Sequence, residues 1–155
     1  MSGPVREVRG EDLEELLDLY THLHETGIPA AGRERESLWK RRLADPNYHI
    51  LVAERDGRLC ASCTLVVIEN LTRNLRPYAL VENVVTRREY RRQGLASACL
   101  NRARELAQAC RCYKIMLLTG AKDEGTLRFY ERAGYRRNEK TAFLQRLEEA
   151  GGGAP

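Results

Sequence analysis

The sequence predicts a mixed α/β (α+β) fold, a mainly antiparallel sheet of six to seven strands flanked by about four helices. Three observations carry this reading. Two apolar runs, residues 49–54 and 59–68, flank Arg55-Asp56-Gly57-Arg58, and Asp-Gly between such runs is a strong hairpin signal. A β-branched run over 79–86 leads through a basic turn into a glycine-opened helix over about 94–111, with Leu95, Cys99, Ala103, Leu106 and Cys110 along one face. Residues 114–119 follow, with Ile115, Met116, Leu117 and Leu118 read as a buried strand. Strand, helix, strand in this order implies a right-handed parallel crossover.

The remaining elements follow in chain order. Residues 5–9 alternate weakly and are read as a first strand. Gly10-Glu11-Asp12 sets acids at the start of a helix whose Leu13, Leu16, Leu17 and Tyr20 recur at helical spacing to about residue 25. Residues 27–32, with Pro29 inside, break that helix, and a more polar one runs from about 34 to 43 before Asp45-Pro46-Asn47 turns the chain. His22 and His24 fall near the end of the first helix as surface or C-terminal residues, a substrate contact from His24 or Glu25 being the alternative. A polar loop over 69–78 carries Arg73 and Arg76 to the edge of the central strand. A helix over about 124–133 ends at Gly134 in the usual C-terminal role. Residues 135–137 and 141–147 are read as final strands, and Gly151-Gly152-Gly153-Ala154-Pro155 as a frayed tail.

A chain of 155 residues that is 43% hydrophobic and 31% charged suits one globular domain, here residues 1–147 with a tail over 148–155. The start has no apolar signal segment, and no apolar run approaches the ~18 residues of a membrane helix, so the expected compartment is the cytoplasm. Five cysteines, Cys60, Cys63, Cys99, Cys110 and Cys112, are an odd number without a secretion signal, and reduced thiols follow. Cys60 and Cys63 sit three apart in a strand and so point to opposite faces; they are read as small core residues, and no metal site is assigned. A net charge of +4 fits a binder of small anions, and no recognition-helix or base-stacking signature accompanies it, so neither nucleic acid nor membrane is an expected partner.

The most informative stretch is Val81-Glu82-Asn83-Val84-Val85-Thr86, then a basic turn, then Arg91-Arg92-Gln93-Gly94-Leu95-Ala96-Ser97. The first turn of a helix carries N–H groups without helical partners and the positive end of the macrodipole, which makes it an anion site. Gly94 lets a ligand approach the main chain, Ala96 stays small, and Arg91 and Arg92 add donors for phosphate oxygens. Read this way, the stretch cradles a pyrophosphate; the alternative is an ordinary loop glycine among solvated arginines.

Arg91-x-x-Gly94-x-Ala96 after a Val-rich strand resembles the acetyl-CoA signature of the GNAT superfamily of N-acetyltransferases: Arg or Gln, two residues, Gly, one residue, then Gly or Ala. Residues 123–135 resemble a second GNAT signature, with Asp123, Thr126, Arg132 and Tyr135 in place of the usual Asn, Ala, Lys and Phe. The resemblance implies a GNAT fold with a splay beside the central strand, acetyl-CoA as co-substrate, a homodimer, and direct acetyl transfer to a neutral amine through a tetrahedral intermediate. Such chemistry needs loss of an amine proton, a donor for the oxyanion and a proton for the departing thiolate. By position, Tyr130 protonates the thiolate, Val84 N–H meets the oxyanion, and Val84, Val85 and Thr86 pair with the pantetheine arm. Arg91, Arg92, Gln93, Gly94, Leu95, Ala96 and Ser97, with Asp123 and Arg132, complete the implied cofactor set.

Glu82 is the candidate base, with a solvated or salt-bridged glutamate as the alternative, and Asn83 a candidate for holding substrate. Tyr130, beside Phe129 on an amphipathic helix, reads as core without the family and as catalytic with it. Cys112-Tyr113-Lys114-Ile115, Phe129-Tyr130-Glu131 and Val81–Val85 are further similar to glucosamine-6-phosphate N-acetyltransferases, although Asn83 stands where those enzymes carry Asp. That similarity implies an amino sugar phosphate, whose anion Arg73 and Arg76 would meet. Two functions remain open: an N-acetyltransferase acting on a small amine or a protein amine, and an acetyl-CoA sensor or protein-docking module with little turnover.

Overall fold

The computed structural model describes residues 5–23 and 27–147; the candidate contacts of His24 and Glu25 lie outside them. By density of internal contacts the chain divides into two compact units, Met1–Thr119 and Gly120–Pro155, and each is described by itself.

The first unit holds a five-stranded mixed sheet in the spatial order of the sequence. Strand β1 (Val5–Glu7) pairs antiparallel with β2 (Tyr48–Arg55), β2 with β3 (Arg58–Ile68), and β3 with β4 (Tyr78–Thr86); β5 (Ile115–Leu117) joins β4 in parallel. Helices α1 (Leu13–Tyr20) and α2 (Arg33–Ala44) precede β2, and α3 (Leu95–Ala109) links β4 to β5. The β2–β3 hairpin turns on Asp56 (φ 54°) and Gly57 (φ 73°), two left-handed residues whose twist matches the flanking strands.

Cross-strand partners share a face. Ile50 pairs with Thr64 and Val52 with Ser62, so these four side chains lie on one side of the sheet, where Leu16 and Leu19 of α1 close a core with Ile50, Val52, Leu59 and Val85. The other side carries Leu51, Ala53, Cys63, Leu65, Ala79 and Val81, all buried, beneath α3. The buried stripe of α3 is Leu95, Cys99, Leu100, Ala103 and Ala107, whereas Leu106 is half-buried and Cys110 exposed. At 100° per residue the stripe drifts off the sheet before Cys110 is reached. Burial pushes the Cys99 thiol up to about 12 and the Cys63 thiol higher still; these are core groups.

Helix α2 buries no residue completely, and it is fastened instead by Trp39, whose indole N–H donates to Gly10 O at 3.0 Å. Between β3 and β4, Arg73, Asn74 and Leu75 have φ of 53°, 56° and 63°. A left-handed turn of three non-glycine residues costs about 1–2 kcal/mol per residue.

The second unit contains α4 (Glu124–Arg132). Asp123 caps its start by accepting from Thr126 N–H at 2.8 Å. Gly134, at φ 99°, ends it, with Tyr135 N–H bonded to Tyr130 O and Gly134 N–H to Glu131 O, a Schellman closure.

Two expectations fail. Residues 135–137 and 141–147 are irregular rather than strands, which leaves five strands among the described residues instead of six to seven. Phe143, Leu144 and Leu147 are 93%, 71% and 90% exposed, and without a ladder partner or a surface to bury against, their alternation specifies nothing. The apolar run over 115–118 is also not buried: Met116 and Leu118 are 36% and 49% exposed, because β5 borders the sheet and among the described residues pairs with β4 alone.

Candidate active site

Helix α3 begins without a side-chain cap at Gly94, which is left-handed (φ 77°, ψ 7°). The first bond running into the helix is Ala98 N–H to Gly94 O at 3.0 Å, so the N–H groups of Leu95, Ala96 and Ser97 find no acceptor among the described residues. A Cβ on Gly94 would meet nothing within 4 Å; glycine serves the left-handed turn and the open space above it. Arg92 is left-handed too (φ 61°), and turns with left-handed residues are the kind of backbone whose successive N–H groups form anion-binding concavities. The loop is braced from below: the Gln93 side chain receives Arg55 Nη1 and reaches Glu89 O, and Arg91 Nε leans back on Thr86 O at 3.5 Å. The Arg92 side chain has no ion pair among the described residues.

Arg87 was not singled out from the sequence. It is 2% exposed, donating from Nε to Leu59 O at 2.8 Å and from Nη1 to Asp18 of α1 at 2.6 Å, while its N–H meets Cys60 O at 2.8 Å. It thereby clamps the base of the loop to β3 and α1. Arg88 N–H donates to His22 Nδ1 at 3.3 Å.

Strand β4 supplies the second part. Val85 pairs with Ser62 and Glu82 with Thr64, so Asn83 and Val84 together stand against Cys63 alone. Asn83 takes φ 51°. Such a bulge withdraws main-chain groups from the ladder and bends the strand. On the opposite edge, pairing with β5 ends at Val81–Leu117, and no other strand among the described residues takes that edge of residues 82–86, the splay expected beside the central strand. Open N–H and C=O groups there suit an extended ligand.

Glu82 is exposed, directly across from Thr64, and has no ion-pair partner among the described residues. Beneath it lie three hydroxyl groups, of which the sequence reading named only Tyr20, as part of the apolar helix face. Ser62 and Thr64 are 0% and 1% exposed, and neither Ser62 Oγ nor Thr64 Oγ1 reaches a hydrogen-bond partner. The Tyr20 phenol lies beside them, and burial raises its proton affinity. Two hydroxyls two residues apart in an apolar strand were the available signal, since such residues share a face.

In the second unit, Tyr130 is half-buried, its ring 5.0 Å from Phe129 and 6.4 Å from Tyr135, both edge-on. Arg132 is exposed at the end of α4. The Asp123 carboxylate is engaged as the α4 cap, and the Thr126 N–H holds it below the usual range. Arg73 and Arg76 lie at the far end of β4 from the loop. Arg73 sits over the Tyr113 ring at 5.3 Å, and Arg76 donates to Arg111 O and Cys112 O at 3.1 and 3.3 Å. Among the described residues no helix is long and apolar enough to cross a membrane, and no cluster of three His, Cys, Asp or Glu is arranged for a metal.

Residues 13–135 match the acetyltransferase (GNAT) family. Glucosamine 6-phosphate N-acetyltransferase of Trypanosoma brucei brucei is 31% identical over 141 residues, covering 90% of this chain and 93% of that protein. A structure from Agrobacterium tumefaciens str. C58 named as an acetyltransferase superposes with TM-score 0.85 at 38% identity, covering 93% of this chain and 99% of that one. Glucosamine-6-phosphate N-acetyltransferase from Arabidopsis thaliana shares the fold with TM-score 0.82 at 19% identity, covering 94% and 98%. Both signatures fall inside the matched span, and the chain belongs to the GNAT family of N-acetyltransferases, which use acetyl-CoA as co-substrate.

Proposed function

We propose that this protein moves an acetyl group from acetyl-CoA directly to the amine of a small molecule, with an amino sugar phosphate as the favoured acceptor class. The observation that carries the reading is the uncapped start of α3 around left-handed Gly94, next in sequence to a strand whose residues 82–86 keep one edge open. Three free N–H groups and the Arg92 guanidinium match the charge and donor demand of a diphosphate. In this reading Arg91, Gln93, Gly94, Leu95, Ala96 and Ser97 hold the diphosphate with Arg92. Val84, Val85 and Thr86 bond the pantetheine arm, and Asp123 and Arg132 belong to the cofactor set by resemblance.

Glu82 takes the proton from the acceptor ammonium, directly or through water, and Asn83 helps hold the acceptor. The freed amine forms its C–N bond to the acetyl carbon, and Val84 N–H, released by the bulge, holds the oxygen that gains charge. Breaking of the C–S bond returns the electron pair to sulfur, and Tyr130 gives the thiolate its proton. The proton left on the new amide nitrogen then restores Tyr130 through solvent. The amino sugar phosphate is supported by the name of the Trypanosoma brucei relative and by the cations Arg73 and Arg76.

Residues 1–147 form one acetyltransferase domain in this proposal, since the family match runs from 13 to 135 and so spans both units. The resemblance also supports a cytoplasmic homodimer. A thiol-release assay over a panel of amines tests the proposal: turnover on at least one amine supports it. Tight acetyl-CoA binding with no thiol released on any amine sinks it in favour of a sensor.

A further inference from the structure

We infer that Thr64, backed by Ser62 and Tyr20, is a positioning residue for Glu82, its hydroxyl holding the Glu82 carboxylate in place directly or through one water. This deepens the acetyl-transfer reading and rests on it. The bulge of β4 brings the two residues together. Glu82 and Val85 are three apart, an offset that sends the side chains of a regular strand to opposite faces. The extra residue of the bulge cancels that alternation: Val85 stands opposite Ser62 and Glu82 opposite Thr64. All four therefore share the face on which α1 packs, where Leu16 and Leu19 meet Val85. Bulges beside active sites re-aim a side chain in this way. Directly opposed residues have Cβ atoms about 4.5–5.5 Å apart, a gap that a glutamate side chain spans when it folds back on a threonine.

The core itself has no use for these hydroxyls. Ser62 and Thr64 are buried, and neither Ser62 Oγ nor Thr64 Oγ1 has a hydrogen-bond partner. A buried hydroxyl left unpaired is costly, and valine suits a half-covered strand as well as threonine does. Across the sheet, Ser62 faces Val52 and Val85, while Thr64 faces Ile50 and Glu82. Of those four neighbours only Glu82 has a side chain that accepts a hydrogen bond. Tyr20 packs against the same core, with its phenol beside both hydroxyls. The donor count closes: a carboxylate only accepts, whereas each hydroxyl has one proton to give and lone pairs to receive another. Thr64 gives its proton toward Glu82, and Ser62 and Tyr20 are placed to donate to Thr64 Oγ1, which strengthens it as a donor. A hydroxyl-to-carboxylate bond is short and charge-assisted. Glu82 is exposed, and a long exposed side chain otherwise spreads over many rotamers; one fixed donor holds the carboxylate over β4, beside the bulge.

The test is a double-mutant cycle on the full chain, assayed with acetyl-CoA and an amine that it acetylates. Thr64→Val keeps the side-chain shape and removes the hydroxyl. Its kcat should fall about tenfold, the size of one hydrogen bond to a charged group, with KM for acetyl-CoA unchanged. Thr64→Ser, which restores the hydroxyl, should keep most of the parent rate. In the Glu82→Gln background, Thr64→Val should cost less than about twofold, because the group it positions is gone. Equal losses in both backgrounds, or a Thr64→Ser rate as low as that of Thr64→Val, overturn the inference. A crystal structure of the parent with coenzyme A gives a reading that needs neither turnover nor a folded variant. Thr64 Oγ1 should lie within hydrogen-bond distance of a Glu82 carboxylate oxygen or share a single water with it, and a carboxylate with no such link overturns the inference as well. The same link in a protein that acetylates no amine keeps the seat and removes the acetyl-transfer reading instead.

Discussion

Tyr130 and Glu82 make opposite demands on an assay, which allows them to be separated. Replacing Tyr130 with Phe keeps the ring packing against Phe129 and Tyr135 and removes the proton donor. The turnover rate should fall by about 10²-fold or more with acetyl-CoA affinity unchanged by calorimetry; an undiminished rate removes Tyr130 from the mechanism. Glu82→Gln should instead lower kcat/KM about 10²-fold in a way that an added small base partly restores, and an undiminished value would leave Glu82 as a solvated surface acid. Glu82, Tyr130 and Gly94 could be singled out as candidates because each stands in a motif or beside one. Ser62, Thr64 and Tyr20 could not, since they meet through long-range strand pairing and helix packing, and a serine and a threonine in a strand say little until the register is known. Arg87 was hidden for the same reason, one arginine among many until the structure buries it.

The start of α3 and the bulge of β4 work as elements rather than as single residues. Gly94→Arg puts a Cβ and a long cationic side chain at φ 77° and fills the open space over the N–H groups. Acetyl-CoA binding should be lost while the circular dichroism spectrum stays that of the parent; unchanged affinity would refute the cradle. Arg87→Ala should destabilise by about 2 kcal/mol, because Leu59 O loses its charged donor inside the protein. Urea unfolding checks it, and a change below about 0.5 kcal/mol, the usual size for a surface site, would deny the clamp. At this scale the hairpin, the four helices and the strand-helix-strand order could be read directly, since turn chemistry and periodicity are local. The bulge could not, because nothing in Glu82-Asn83-Val84 says which residue will be left without a partner. The two final strands were overread: alternation predicts a strand only where another strand and a surface to cover are available.

For the whole molecule, ligand linkage tests whether the cradle and the unit that carries Tyr130 respond together. A ligand that binds the folded state alone stabilises it by about 2.7 kcal/mol at a hundred times its Kd. For a domain near this size each kcal/mol raises Tm by roughly 2–4 °C, so acetyl-CoA in that excess should raise Tm by about 5–10 °C. The single tryptophan, Trp39, lies in the first unit, and amide exchange across α4 reports on the second. If residues 1–147 fold as one domain, saturating acetyl-CoA should delay Trp39 unfolding and slow α4 exchange by comparable free energies, and Gly94→Arg should erase both effects together. A shift at Trp39 with no change in α4 exchange would mean that α4 opens independently of the cofactor, and the proposal that Tyr130 stays at the thioester throughout the bound state would fail with it. Salt gives the accompanying sign. A diphosphate held by Arg92 and main-chain donors is partly an exposed charge interaction, so the gain in Tm should shrink as ionic strength rises and the Debye length falls from about 10 Å at 0.1 M to about 3 Å at 1 M.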